Sequence, residues 1–166
     1  MEWTVLAPEG PFGSAAGAAL GEQEVDWTAA EGESHEACTL AFAGVEAAEF
    51  LSRVEGVQAE VSDLGSGLPD APFIVVVGPL SLEAVKADLE KTFGPIDIPE
   101  GEQSYSIRTS GEGGKRGYLV VGADRAGGMY GTYEVLQRLG FRWLGPDEYD
   151  THIPEQLPDP LPEICT

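Results

Sequence analysis

The spacing of apolar positions changes several times along the chain, and each change predicts an element. Trp3, Val5 and Leu6 before Pro8 predict a short edge strand, followed by an irregular Gly-, Ala- and Pro-rich loop and a further short strand at 25–28. Ala37, Thr39, Ala41 and Ala43 alternate with Cys38, Leu40 and Phe42 up to Gly44, which predicts a strand over 37–43. Val45, Ala48, Phe50 or Leu51, and Val54 then share one helical face, closed by Gly56, and a strand at 57–61 follows. After a turn-rich linker at 64–71, the run Phe-Ile-Val-Val-Val at 73–77 is continuous and β-branched, the pattern of a central strand covered on both faces. Ser81 is placed to cap a helix over 82–92, with Leu82, Val85, Leu89 and Phe93 as its buried stripe; Glu83 in its first turn and Lys91 in its last suit the helix dipole. Tyr105, Ile107 and Thr109 mark a half-buried strand, 111–115 a hairpin loop, and 118–121 a buried strand. The pair Gly127 and Gly128 predicts a break, after which Met129, Tyr133, Leu136 and Leu139 share a helical face ended by Gly140. Phe141, Arg142, Trp143 and Leu144 form a short extended exit into the turn at Gly145 and Pro146. The expected fold is α+β: a single mixed, largely antiparallel sheet with helices packed on it.

A chain of 166 residues, 42% of them hydrophobic, suffices for one domain with a substantial core. A (β/α)8 barrel alone takes about 250 residues, so none is contained in it. The formal net charge of −20, from 29 acidic and 9 scattered basic side chains, speaks against a nucleic-acid partner, which needs clustered Lys and Arg. It predicts a well-solvated acidic surface, with a salt-rich habitat as the sharper alternative. No apolar run approaches the roughly 20 residues of a membrane helix. The opening Met1-Glu2-Trp3-Thr4 lacks the basic and apolar regions of a secretory signal, so a secreted or periplasmic site would require a leader ahead of it. Cys38 lies in an apolar run, where a free buried thiol is commoner than a bridge to the distant Cys165.

Arg125-Ala-Gly-Gly-Met-Tyr-Gly-Thr-Tyr-Glu-Val-Leu-Gln-Arg-Leu-Gly, followed by Arg142, Trp143, Leu144 and Pro146, resembles the end of a small α/β domain that precedes the catalytic barrel in several glycoside hydrolases. It is similar to the N-terminal domain of the α-glucuronidases and, more loosely, to the second domain of the β-N-acetylhexosaminidases. Ala47-Ala48-Glu49-Phe50-Leu51 with Gly56, the strand ending at Gly78, and Tyr105 to Ile107 extend the likeness over about 37–154; its specific portion is 122–146. The segment before Ala37 and the Pro-rich tail depart from the pattern. The resemblance implies a domain without chemistry of its own, partnered by a catalytic barrel domain of the parent polypeptide and by carbohydrate. The chain then divides into an irregular segment at 1–36, the α/β domain at 37–154 and a linker-like tail at 155–166. The alternative is a free-standing glycan- or protein-binding module.

Candidate chemistry is sparse beside this. Asp147, Glu148 and Asp150 are explained by a polar turn rather than a catalytic pair of carboxylates. Gly122-Ala-Asp-Arg-Ala-Gly-Gly lacks the spacing of a phosphate loop, and His35, Cys38, His152 and Cys165 lack the second close pair of a zinc site. No serine sits in a nucleophile elbow. No catalytic residue, cofactor or metal is therefore expected. Arg125, at a strand end before a helix, is expected to tie down its turn through an ion pair or backbone carbonyls. Arg125, Tyr130, Arg142, Trp143 and Tyr149 are the candidate contacts for an interface or a sugar, since aromatic rings stack on sugar faces; Tyr133 is assigned to the helix core face.

Overall fold

The computed structural model describes residues 1–145 and 150–166. Five strands, β1 (Glu2–Ala7), β2 (Gln58–Asp63), β3 (Phe73–Val77), β4 (Tyr105–Ser110) and β5 (Gly117–Gly122), form one sheet in the order β2–β1–β3–β5–β4. It is the mixed sheet with packed helices that the pattern predicts, but mostly parallel: β1 pairs in parallel with β2 and β3, β3 pairs in parallel with β5, and only the β4–β5 hairpin is antiparallel. The hairpin was legible from its loop, but it supplies one pairing; the others are set by crossovers that local spacing does not encode.

The helices are α1 (Ala15–Ala19), α2 (Glu33–Ser52), α3 (Pro79–Phe93) and α4 (Arg125–Arg138). On one face of the sheet Trp3, Val5, Ile74, Val76, Tyr118 and Val120 pack with Leu40, Ala47 and Leu51 of α2 and with Val135 and Leu136 of α4. On the other face Leu6, Phe73, Val75, Val77, Leu119 and Val121 pack with Leu82 and Leu89 of α3. Alternate residues of β3 and β5 thus feed opposite cores, which is why both strands are buried at every position. The connection from β2 to β3 has no α-helix; its Leu64 and Leu68 cover the α3 side instead.

Several local expectations change. The stretch 37–43 is not a strand but part of α2, because in an Ala-rich run the alternation of small residues fits either period. Ala37, Leu40, Ala41, Gly44, Ala47, Ala48 and Leu51 are its buried face. β1 is an interior strand rather than an edge, and 25–28 contains no strand. α3 begins earlier than expected: Gly78 is its N-cap, Pro79 takes the first turn, and Ser81 sits inside, its Oγ accepting from the Gly78 N–H at 3.0 Å. Gly127 and Gly128 do not break the chain; they lie in the first turn of α4, whose N-cap Asp124 accepts from the Gly127 N–H at 2.7 Å. They serve close approach: a Cβ on Gly127 would strike the Ser104 carbonyl, and one on Gly128 would strike Leu40. Gly140, at φ 109°, follows the C-cap as expected.

The tail folds back on the sheet. Leu157, Leu161 and Ile164 are buried, Thr166 exchanges backbone hydrogen bonds with Ile107 on the outer edge of β4, and the Tyr118 hydroxyl donates to the Pro162 carbonyl at 2.8 Å. Cys38 is buried and Cys165 exposed, and both thiols are free. Among the described residues no helix is long and apolar enough to cross a membrane.

Candidate functional site

α2 and α4 lie side by side on one face of the sheet, and the surface between them opens into a cleft of about 770 Å³. Helical spacing builds its walls. Glu46, Phe50 and Arg53 follow one another at four and three residues along α2, and Tyr130, Tyr133, Glu134 and Gln137 do the same along α4. Tyr105 at the start of β4 and Trp143 of β6 (Arg142–Trp143) close it. β6 is held there by antiparallel pairing with β7 (Thr151–His152).

The rings fix one another. Trp143 meets Phe50 edge-on at 5.3 Å between centroids and Tyr133 edge-on at 5.6 Å, and Phe50 meets the core ring of Phe141 at 6.1 Å. The Arg53 guanidinium lies over the Phe50 ring at 5.0 Å. The Tyr133 hydroxyl donates to the Glu46 carboxylate across the α2–α4 seam. Burial first, then the bond to Glu46 and its charge, raise the Tyr133 phenol above its ordinary pKa. Tyr105 is raised by burial and the charge of Glu134, against the opposing pull of Arg138. Glu134 also accepts from Arg138 Nε at 2.7 Å, one turn on.

The structure brings two of the sequence-derived candidates, Tyr130 and Trp143, into this cleft. Tyr133, assigned to the core face, is half-buried and shared between core and cleft. Arg142 is turned away: its Nη1 donates to the Gln137 carbonyl at 2.5 Å and the Phe141 carbonyl at 2.6 Å, closing the C-terminal end of α4. Tyr149, with Asp147 and Glu148, lies outside the described residues. Arg125 stands at the other end of α4. Its Nε donates to Glu31 at 2.8 Å, its Nη1 to Thr39 Oγ1 at 3.3 Å, and its guanidinium stacks over Trp27 at 5.3 Å, so it clamps the loop before α2. His35 completes that clamp. Its Nδ1 accepts from the Gly32 N–H at 3.3 Å and its Nε2 lies 3.0 Å from the Asp26 carbonyl, the pattern of the neutral Nε2–H tautomer.

Sequence spacing singled out neither Glu46, Arg53, Glu134 nor Gln137 as functional. Their only signal is the recurrence at three and four residues of polar positions beside aromatic ones. Glu36 was missed as well. It is buried, and its carboxylate accepts from the Leu80 N–H at 3.1 Å and the Ser81 N–H at 2.7 Å, filling the N-terminal end of α3 beside the carboxyl ends of β1 and β3. In open α/β sheets that position is where an external anion commonly sits. Here the chain supplies its own carboxylate.

Fold and cleft together define an α+β domain that carries an aromatic and carboxylate-lined groove between two helices. No protein-family model matches the sequence, and no curated protein is significantly similar to it.

Proposed function

We propose that the chain is a non-catalytic accessory domain of a carbohydrate-active enzyme, a glycoside hydrolase or a relative, packing on a (β/α)8 barrel outside this chain. The observation that carries the reading is the placement of the aromatic cleft. The cleft between α2 and α4 is closed at one side by Trp143 of β6, where the portion resembling the glycoside-hydrolase domains ends, next in sequence to Leu144, which is 80% exposed. An apolar side chain so exposed at an exit segment suits burial by a neighbouring domain, and the cleft beside it then forms one edge of a substrate groove. The bonds from Arg142 to the Gln137 and Phe141 carbonyls tie that exit to the end of α4.

The test is the mass of the native polypeptide in its source cells, read by immunoblot with an antibody to this chain. A band larger by roughly 25 kDa or more, the size of a barrel of about 250 residues, supports the reading. A band at 17.6 kDa overturns it in favour of a free-standing binding module. The 166-residue chain alone is expected to turn over no aryl glycoside or glucuronide, and measurable hydrolysis would also overturn it.

A further inference from the structure

We infer that the cleft between α2 and α4 is a binding site for neutral oligosaccharides, with Tyr130 and Trp143 as ring platforms and Glu46 as an acceptor of sugar hydroxyls. The inference deepens the accessory-domain reading and rests on it for the source of the sugar, but the site itself is argued from the lining.

The volume of about 770 Å³ falls within the roughly 300–1,000 Å³ of sites for small ligands. The lining selects the chemistry by elimination. A purely apolar ligand would desolvate the charged groups of Glu46, Glu134 and Arg53 and the Gln137 amide while adding no hydrogen bonds to those they already make. An anion would meet the carboxylates of Glu46 and Glu134 on a chain of net charge −20. A cation seeking the rings would meet the Arg53 guanidinium already over Phe50. A neutral polyhydroxylated ligand with flat C–H faces satisfies all of the lining at once. Its faces lie on the rings, and each hydroxyl, donor and acceptor together, pairs with carboxylate, guanidinium or amide alike.

The site is also held in shape before any ligand arrives. Trp143 is wedged edge-on against Phe50 and Tyr133, and Tyr133 pins the Glu46 carboxylate. Little ordering remains to be done on binding. Tyr130, 45% exposed, is the ring most open to a ligand.

The experiment is isothermal titration calorimetry of the 166-residue chain with cellohexaose, xylohexaose, mannohexaose and chitohexaose, and with hexagalacturonate as the charged counterpart. At least one neutral hexamer is expected to bind with a Kd below about 1 mM, and hexagalacturonate at least about tenfold more weakly. Tyr130→Ala and Glu46→Gln should each weaken the neutral hexamer about tenfold or more, with circular dichroism unchanged. Tyr130 is the safer probe because it is not among the side chains packed on the core, whereas Trp143 is. No binding of any neutral hexamer at about 10 mM, equal binding of hexagalacturonate, or binding that survives both variants would overturn the site. The outcome is separable from the accessory-domain reading. Sugar binding by a chain whose cellular mass is 17.6 kDa keeps the site and removes the enzyme, while a large cellular protein whose domain binds no sugar does the reverse.

Discussion

Two buried polar side chains hold the architecture at points where the sequence offered no warning. Glu36 satisfies two N–H groups at the start of α3 from a different helix. Replacing it by Ala removes the charged partner of both part-buried donors, and the urea midpoint should fall by the equivalent of about 2 kcal/mol. An unchanged midpoint would mean that water replaces the carboxylate at no cost. Tyr118, fully buried against Trp3 and bonded to Pro162, has its phenol pushed up to about 12 by burial, with Arg116 opposing. The folded chain holds that proton more tightly than the unfolded one, so its contribution is complete below about pH 10. It is lost as pH rises through about 12, amounting to about 3 kcal/mol. Tyr133, raised by the same cause, acts in the same direction. Unfolding free energy followed from pH 9 to pH 12 should therefore decline, and Tyr118→Phe should reduce the slope without abolishing it. These roles were illegible because they are made by contacts 44 and 45 positions apart in the chain. A carboxylate in a strongly acidic sequence carries no mark of being the buried one.

The elements divide by how far their pattern was unique. β3, β5 and the stripe of α3 were readable, since a continuous β-branched run and a spacing of three and four each admit one interpretation. The first half of α2 was not, because Ala at alternate positions satisfies strand and helix periods equally. The cleft was legible only in its rings. Tyr130 and Trp143 announced themselves, whereas Glu46, Phe50 and Arg53 join them solely through the packing of α2 against α4. Gly128 sets the close approach of α4 to α2 and Gly127 its approach to the segment before β4, and the two can be tested against each other. Ala in place of Gly gains about 1 kcal/mol of helix propensity, against about 1–3 kcal/mol for overpacking. At Gly127 the obstacle is the Ser104 backbone carbonyl, which cannot step aside, so Gly127→Ala should be clearly destabilising in a thermal melt. At Gly128 the nearest atom is the end of the Leu40 side chain, which can rotate, and Gly128→Ala should cost markedly less. Equal melting points for the two variants would contradict this account of α4's close contacts.

At the scale of the whole molecule, charge and topology dominate. Net charge −20 on 166 residues means that the folded state concentrates like charges, so the melting temperature should rise as NaCl goes from low to molar concentration. A flat curve would show that the acidic side chains are already far enough apart to ignore one another. The antiparallel expectation was met only in part, at the β4–β5 hairpin, because the remaining pairings of the sheet depend on crossovers. Those crossovers also decide what becomes of the chain's first residues. Terminal segments ordinarily fray first, yet β1 is flanked on both sides, by β2 and β3, with Trp3, Val5 and Leu6 almost wholly shielded. Its central amides can exchange with solvent deuterium only when the sheet itself comes apart. The slowest clocks in the sheet therefore run at Val5 as well as in β3 and β5.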